Sequence, residues 1–285
     1  MIGTPSIWTS MCRRRPLCEA LRVLCACGWN TFEISTEHLC EIEADASPDA
    51  RIGEARELME SLGASAPQAH GLLKANVASF DAAERAEHRE RLARHVEIAA
   101  QLGARVIVMH PGGRQGFATR AERERIRELN IKAFRRLGDL AAGRDMRIGL
   151  ENTPRGKPTP PGLLDFLAAI DHPAMGVTFD TSHANMIDLD IPAAVRELGP
   201  HLVAVHVSDN DGSGDQHRFP GCGTVDWPGF MAALGEVGFA APLNFEIGGE
   251  CHPDPEILQI KIRYARHLAD CLIEMAKKNG PNPAG

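Results

Sequence analysis

The chain has 285 residues, 44% of them apolar, and sets 38 acidic against 31 basic side chains for a formal charge of −7. A chain this long buries about 75% of its unfolded surface, so it needs neither disulfides nor an obligate partner to build a core. The acidic balance argues against a protein that coats nucleic acid or anionic membrane, which takes surplus Lys and Arg, and one Tyr with three Trp leaves few platforms for stacking bases.

In chain order, short apolar runs alternate with amphipathic stretches, which predicts eight βα units. Strand Ile2–Ile7 leads to helix Pro16–Cys27, Thr31–Ser35 to Asp49–Leu62, Ala66–Gly71 to Ala82–Leu102, and Arg105–His110 to Arg120–Ala142. The second half repeats the pattern: Arg147–Asn152 to Pro161–Ile170, Gly176–Thr181 to Pro192–Leu198, Leu202–Val207 to Trp227–Val237, and Leu243–Ile247 to Glu256–Lys278. Gly28, Gly63, Gly103, Gly143 and Gly238 follow the last apolar positions of their helices, where a left-handed residue ends the helix. Eight units of roughly 36 residues predict a single-domain (β/α)8 TIM barrel over residues 1–276, with a flexible tail over 277–285. Neither G-x-G-x-x-G nor a phosphate-binding loop follows the first strand, which disfavours an open doubly wound sheet.

No run approaches the roughly 18 apolar residues of a membrane helix, and Met1–Ser10 lacks the pattern of a signal peptide, so a cytoplasmic protein is expected. Eight Cys without a C-x-x-C pair read as reduced thiols. A soft-metal site drawn from the five Cys before residue 41 is the alternative.

From the second strand onward, every predicted strand ends on or beside a metal-competent or acid/base residue: Glu33, His70, His110, Glu151, Asp180, His206 and Glu246. The two-residue period of a strand sorts their directions. Ile148 and Leu150 oppose Gly149 and Glu151; Val177 and Phe179 oppose Thr178 and Asp180; Val203 and Val205 oppose Ala204 and His206; Leu243 and Phe245 oppose Asn244 and Glu246. With helices covering the outside, the bulky faces look outward, and Glu151, Asp180, His206 and Glu246 converge at the C-terminal mouth. Carboxylates buried together need a cation, and an oxygen-rich set with one imidazole suits Mn²⁺, Co²⁺, Mg²⁺ or Zn²⁺. The glycine-rich loop Asp209–Asp226 is expected to act as a lid over this mouth. Arg114, Arg155 and Lys157 place positive charge on the rim, either for an anionic substrate group or for solvent, and His38 is a further candidate contact.

Six segments, VMHPGG (Val108–Gly113), GLENTP (Gly149–Pro154), VTFDTSHAN (Val177–Asn185), VHVSDNDG (Val205–Gly212), DQHRFPGCGTVDW (Asp215–Trp227) and NFEIGG (Asn244–Gly249), occur in this order on the predicted strands. Together they resemble the xylose-isomerase-like barrel superfamily, which holds sugar and sugar-phosphate isomerases and epimerases beside metal-dependent apurinic endonucleases. The resemblance to the sugar branch implies one divalent metal on Glu151, Asp180, His206 and Glu246, with the metal holding carbonyl and hydroxyl oxygens of an enediolate. It also implies that Glu151 and Glu246 move the proton, and that Glu33, His70, His110, His183, His217 and Arg218 line the substrate pocket. The endonuclease branch uses three metals on nine ligands, and His70, His110, His183, Asp215 and His217 match its additional positions, leaving a multinuclear Zn²⁺ phosphodiester hydrolase as the second reading. The acidic charge, the lone Tyr264, and HGLL at His70–Leu73, where the endonucleases carry an aromatic near this His, favour the sugar branch and a small-molecule substrate over nucleic acid. A sugar or cyclitol dehydratase, beginning from the same enolate, ranks third. A homo-oligomer is compatible with all three.

Overall fold

The computed structural model describes residues 3–113, 119–154 and 159–279. Eight parallel strands close into a barrel in chain order: β1 (Pro5–Trp8), β2 (Thr31–Ile34), β3 (Ser65–His70), β4 (Val106–Met109), β5 (Arg147–Glu151), β6 (Met175–Asp180), β7 (Leu202–Val207) and β8 (Leu243–Phe245), with β8 pairing back onto β1. Around them run α1 (Leu17–Ala26), α2 (Thr36–Ala44), α3 (Pro48–Ser61), α4 (Ala82–Gln101), α5 (Arg120–Ala142), α6 (Pro160–Ile170), α7 (Thr181–Asn185), α8 (Ile191–Leu198), α9 (Trp227–Glu236) and α10 (Pro255–Asn279). Among the described residues no helix is long and apolar enough to cross a membrane. Arg114, Arg155 and Lys157, expected on the rim, lie outside the described residues.

The strand alternation sets two layers. Ile148, Leu150, Val177, Phe179, Val205, Leu243 and Phe245 are buried in the apolar layer beneath the helices. Ser6, Gln68, Thr178, Ala204 and Asn244 are buried among small and polar groups, and Ser6 Oγ donates to Asn244 Oδ1 at 3.1 Å. Val203 departs from the expected alternation. The β6–β7 register shifts between Val177 and Thr178, and the Val203 methyls lie against the faces of Gly149 and Gly176 where their missing side chains would point. A bulge of this kind re-aims one side chain, and here it fills interior space that two glycines leave.

Other departures are local. α2 occupies a segment expected to be loop, and α7 follows directly on β6. β1 runs to Trp8, one residue past its expected end. Gly28, Gly63, Gly103 and Gly238 take positive φ as expected, whereas Gly143 stays right-handed at φ −65° and Asp145 supplies the left-handed turn at φ 54°. The last helix ends at Asn279, one residue past the expected Lys278, so residues 277–279 of the expected tail are helical, with Lys277 Nζ donating to Glu274 Oε1 one turn back at 2.5 Å. The five early Cys do not gather: among the described residues, only Cys40 belongs to a group of closely spaced metal-competent side chains.

Candidate active site

β5, β6, β7 and β8 deliver Glu151, Asp180, His206 and Glu246 to the C-terminal mouth, all four buried. One potential ligand atom from each lies within 4.8 Å of all the others. This is the set that strand periodicity singled out. Its geometry is that of converging donors more than of satisfied hydrogen bonds. His206 Nδ1 forms ion pairs with Glu246 Oε2 at 2.8 Å and Glu151 Oε1 at 3.3 Å, but Glu246 Oε2 receives no aligned hydrogen bond and Asp180 Oδ2 is buried with none at all. Buried, unpartnered carboxylate oxygens cost several kcal/mol each unless charge compensates them. A divalent cation fits this donor set, because it would satisfy both orphan oxygens at once.

The imidazole is oriented from behind. Glu33 Oε2 lies 2.9 Å from His206 Nε2, which leaves Nδ1 facing the cluster, and the Gln68 amide in turn donates to Glu33. Carboxylate–imidazole pairs of this kind set the tautomer and angle of a metal ligand. Glu33 was expected to line the pocket; Gln68 was not singled out, although it sits two residues before His70 on the same strand face.

Two further groups adjoin the central four. His70 Nε2 lies 3.4 Å and His110 Nε2 2.7 Å from Glu151 Oε2. On the other side Asp215 Oδ1 meets His217 Nε2 at 2.9 Å and His183 Nε2 at 3.5 Å, while His183 Nδ1 lies 3.2 Å from Glu151 Oε1. Asp180 Oδ1 also accepts from the His183 backbone N–H at 2.6 Å, so the strand end caps α7 and sets that imidazole in place. The expected residues Glu33, His70, His110, His183, Asp215 and His217 are thus all at the mouth. Arg218 pairs through Nη2 with Asp211 Oδ2 at 3.2 Å and its Nη1 lies 3.5 Å from the Cys222 carbonyl, both within its own loop. His38 is withdrawn, buried and bonded to Thr9 Oγ1 and the Arg15 carbonyl.

The electrostatics follow from burial competing with charge. Burial pushes Asp180 up to about 7. For Glu151 burial works upward too, but His110 and His206 hold it well below the usual carboxylate range, and His206 likewise brings Glu246 to about 2. Burial would lower His206, yet Glu246, Glu33 and Glu151 keep it well above its ordinary value. In His217 burial is outweighed by Asp215, which raises the imidazole to about 10. Five carboxylates, from Glu33, Glu151, Asp180, Asp215 and Glu246, thus impose a field that demands positive charge.

The loop joining β7 to α9 carries Asp215 and His217, and it is fixed instead of hanging free. Asp209 Oδ2 accepts from Gly221 N at 2.8 Å and Trp227 Nε1 at 3.0 Å, and Oδ1 accepts from Val225 N at 3.2 Å. Asp209 and Arg218 exchange both backbone bonds of an antiparallel bridge. His217 sits at φ 42°, an uncommon conformation for a residue with a side chain, held by bonds from its Nδ1 to the Glu246 carbonyl at 2.9 Å and Ser208 Oγ at 3.1 Å.

Comparison with known proteins agrees with this architecture. A family profile described as "Xylose isomerase-like TIM barrel" matches residues 21–268. The chain is 27% identical over 260 residues to an L-ribulose 3-epimerase of Methylomonas sp. (strain DH-1), covering 88% of this chain and 83% of that protein. It is 29% identical over 157 residues to an uncharacterized protein of Methanocaldococcus jannaschii, covering 53% of each, so the chain spans about half the length of that relative. A crystal structure of a D-tagatose 3-epimerase-like protein shares the fold with a TM-score of 0.81 at 21% identity, covering 96% of this chain and 98% of that one.

Proposed function

Since this chain belongs to the xylose isomerase-like TIM-barrel family, we propose that it is a divalent-metal-dependent isomerase or epimerase that moves a proton on a carbon beside a sugar carbonyl. The observation that carries this reading is the four-strand cluster of Glu151, Asp180, His206 and Glu246, with its unpartnered carboxylate oxygens. The similarity to an L-ribulose 3-epimerase over 88% of this chain supports a ketose substrate.

Glu151, Asp180, His206 and Glu246 would hold the ion. The bound ion supplies Lewis-acid polarisation of the substrate carbonyl and of the hydroxyl next to it. Glu151 and Glu246 then have the roles of acid and base: one carboxylate takes the proton from the substrate carbon and the other returns one. Their different strands let them approach that carbon from different sides. His183 and His217, joined through Asp215, add imidazole positive charge beside Glu151 and Glu246, where substrate oxygens would lie. Glu33 keeps His206 in the orientation that faces the cluster. His70 and His110 hold the Glu151 carboxylate from the side of β3 and β4.

Deuterium wash-in from heavy water at the carbon beside the carbonyl of a ketopentose tests the proposal. Wild-type protein should exchange it, and Glu151→Gln and Glu246→Gln should each lower exchange by at least about 10³-fold with the circular dichroism unchanged. Wild-type rates in both variants would sink the mechanism.

The second reading, a phosphodiester hydrolase with several Zn²⁺ ions, is favoured by one observation: His70/Glu151/His206 and His183/Asp215/His217 form two further groups of closely spaced donors beside the first. Elemental analysis of the purified protein separates the two readings. One ion per chain is expected for the sugar enzyme, whereas three Zn²⁺ with cleavage of abasic duplex DNA would establish the hydrolase.

A further inference from the structure

Three consecutive arginines, Arg13, Arg14 and Arg15, follow β1 and do not enter the proposed proton transfer. They line one wall of a cavity of about 330 Å³, and Cys251 and His252, from the connection after β8, line the other. Arg15 Nη1 lies 3.7 Å from Glu19, the carboxylate in the cavity wall. Arg13 Nη1 rests 3.5 Å from the Cys251 sulfur, a weak acceptor, and among the described residues neither Arg13 nor Arg14 has a carboxylate within 4.0 Å. Adjacent like charges repel, so two guanidinium groups turned on a concave surface without counter-charge form a site prepared for an anion.

Its position ties it to the mouth. The 3-10 turn Thr9–Cys12 joins Trp8 at the end of β1 to the arginines, and Cys251 lies five residues past Glu246. The Trp8 ring packs against His70, centroids 6.1 Å apart, and beside Gly248 on the β8 side, so the connections after β1 and β8 that line the cavity spring from strand ends that border the donor cluster. Barrel enzymes often hold a phosphate over the loops after the seventh and eighth strands. Here the cationic cavity occupies the next gap, between the eighth strand and the first.

We propose that this cavity binds an oxyanion carried by the substrate, a phosphate ester or a carboxylate, at the end of the sugar remote from the carbon that exchanges its proton; this rests on the reading of the mouth as a sugar-proton-transfer site. Guanidinium forks suit either anion through paired N–H···O contacts. The consequence is that the substrate is an anionic sugar and that a neutral ketose is turned over less well.

The test uses the metal-loaded full chain, wild type and R13Q/R14Q, with three substrates: a ketopentose, its 5-phosphate and a ketohexuronate. The ratio of kcat/KM for the anionic over the neutral substrate should exceed unity in the wild type and fall by about 10- to 100-fold in the variant, the effect of one or two charge-assisted contacts. A fall for the phosphate ester assigns phosphate; a fall for the uronate alone assigns carboxylate. Equal ratios in both proteins for both anions would overturn the proposal. Calorimetric binding of inorganic phosphate provides an independent readout. If no ketose is turned over but phosphate binding is lost in R13Q/R14Q, the epimerase reading fails and the anion site stands. Equal phosphate binding in both proteins, repeated with R14Q alone and with no fall in the uronate ratio, overturns the site.

Discussion

Gly149 occupies the one conformation of space on β5 that any side chain would spoil. A Cβ there would collide with Thr178 Oγ1 and press on Val203. Gly149→Ala is therefore expected to cost about 1–3 kcal/mol by overpacking, read as a lower urea midpoint with an unchanged slope. The glycine inside RIGLE is a visible marker of close approach, but its partner is not, because Val203 reaches it only through the bulge between β6 and β7. The same contrast holds for the site. Glu151, Asp180, His206 and Glu246 are legible because period two and strand ends place them together. Gln68 was equally available on the His70 face, yet an amide does not stand out among charged neighbours. Arg218 came from the resemblance of its segment, and a motif in a loop says little about the direction of a side chain; its guanidinium pairs with Asp211.

Among the helices, α5 shows most plainly how local chemistry sets a boundary. Thr119 Oγ1 accepts from Glu122 N at 3.2 Å, and Glu122 Oε2 accepts from Thr119 N at 2.7 Å, a reciprocal cap. Thr119→Ala should cost about 1 kcal/mol, which corresponds to a melting temperature lower by roughly 2–4 °C in a scanning calorimeter, with helix content by circular dichroism otherwise kept. Helix Arg120–Ala142 was legible to the residue because cap, periodicity and end agree. α2 was not, since one of its inward residues is His38, which reads as polar and breaks the apolar stripe formed by Leu39 and Ile42. β1 ended one residue late for a similar reason: Trp-Thr-Ser after Ile7 looks like the beginning of a turn, and only closure of the barrel against β2, which pairs Trp8 with Glu33, extends the strand.

For the molecule as a whole, one source of acid sensitivity lies away from the mouth, where α2 packs on α4. Glu43 of α2 accepts from Arg91 Nη2 at 2.7 Å and Arg94 Nε at 2.8 Å, and His95 Nε2 lies 3.3 Å away. Burial would raise Glu43, but the two guanidinium groups overcome it and hold the carboxyl at about 2; burial lowers His95 to about 4. Both shifts act in one direction. The unfolded chain takes up His95's proton below about pH 6.5 and Glu43's below about 4.5, while the fold resists each until about 4 and about 2 respectively. The contribution of this pair should therefore be fully present above pH 6.5 and decline as pH falls, first through the histidine window and then through the carboxylate window. Chemical denaturation between pH 7 and pH 4 checks this, and His95→Gln should flatten the upper part of the decline. An equally steep decline in the variant would assign the sensitivity elsewhere. The eight-unit count was legible because each unit repeats one pattern, whereas this pairing of α2 with α4 was hidden together with α2.

The anchoring of the loop after β7 by Asp209 bears on how a ligand is received. Ordering a flexible segment costs roughly 1–2 kcal/mol per residue, and here that loss falls at the folding step, when Gly221, Val225 and Trp227 close on one carboxylate. The rim is therefore preorganised: Asp215 and His217 stand in position before a substrate arrives, and little of the association free energy goes into assembling them. Selectivity in such a vessel is a matter of shape and charge already present at its edge, and encounter with substrate becomes closer to docking in a rigid cup than to the closing of a hand.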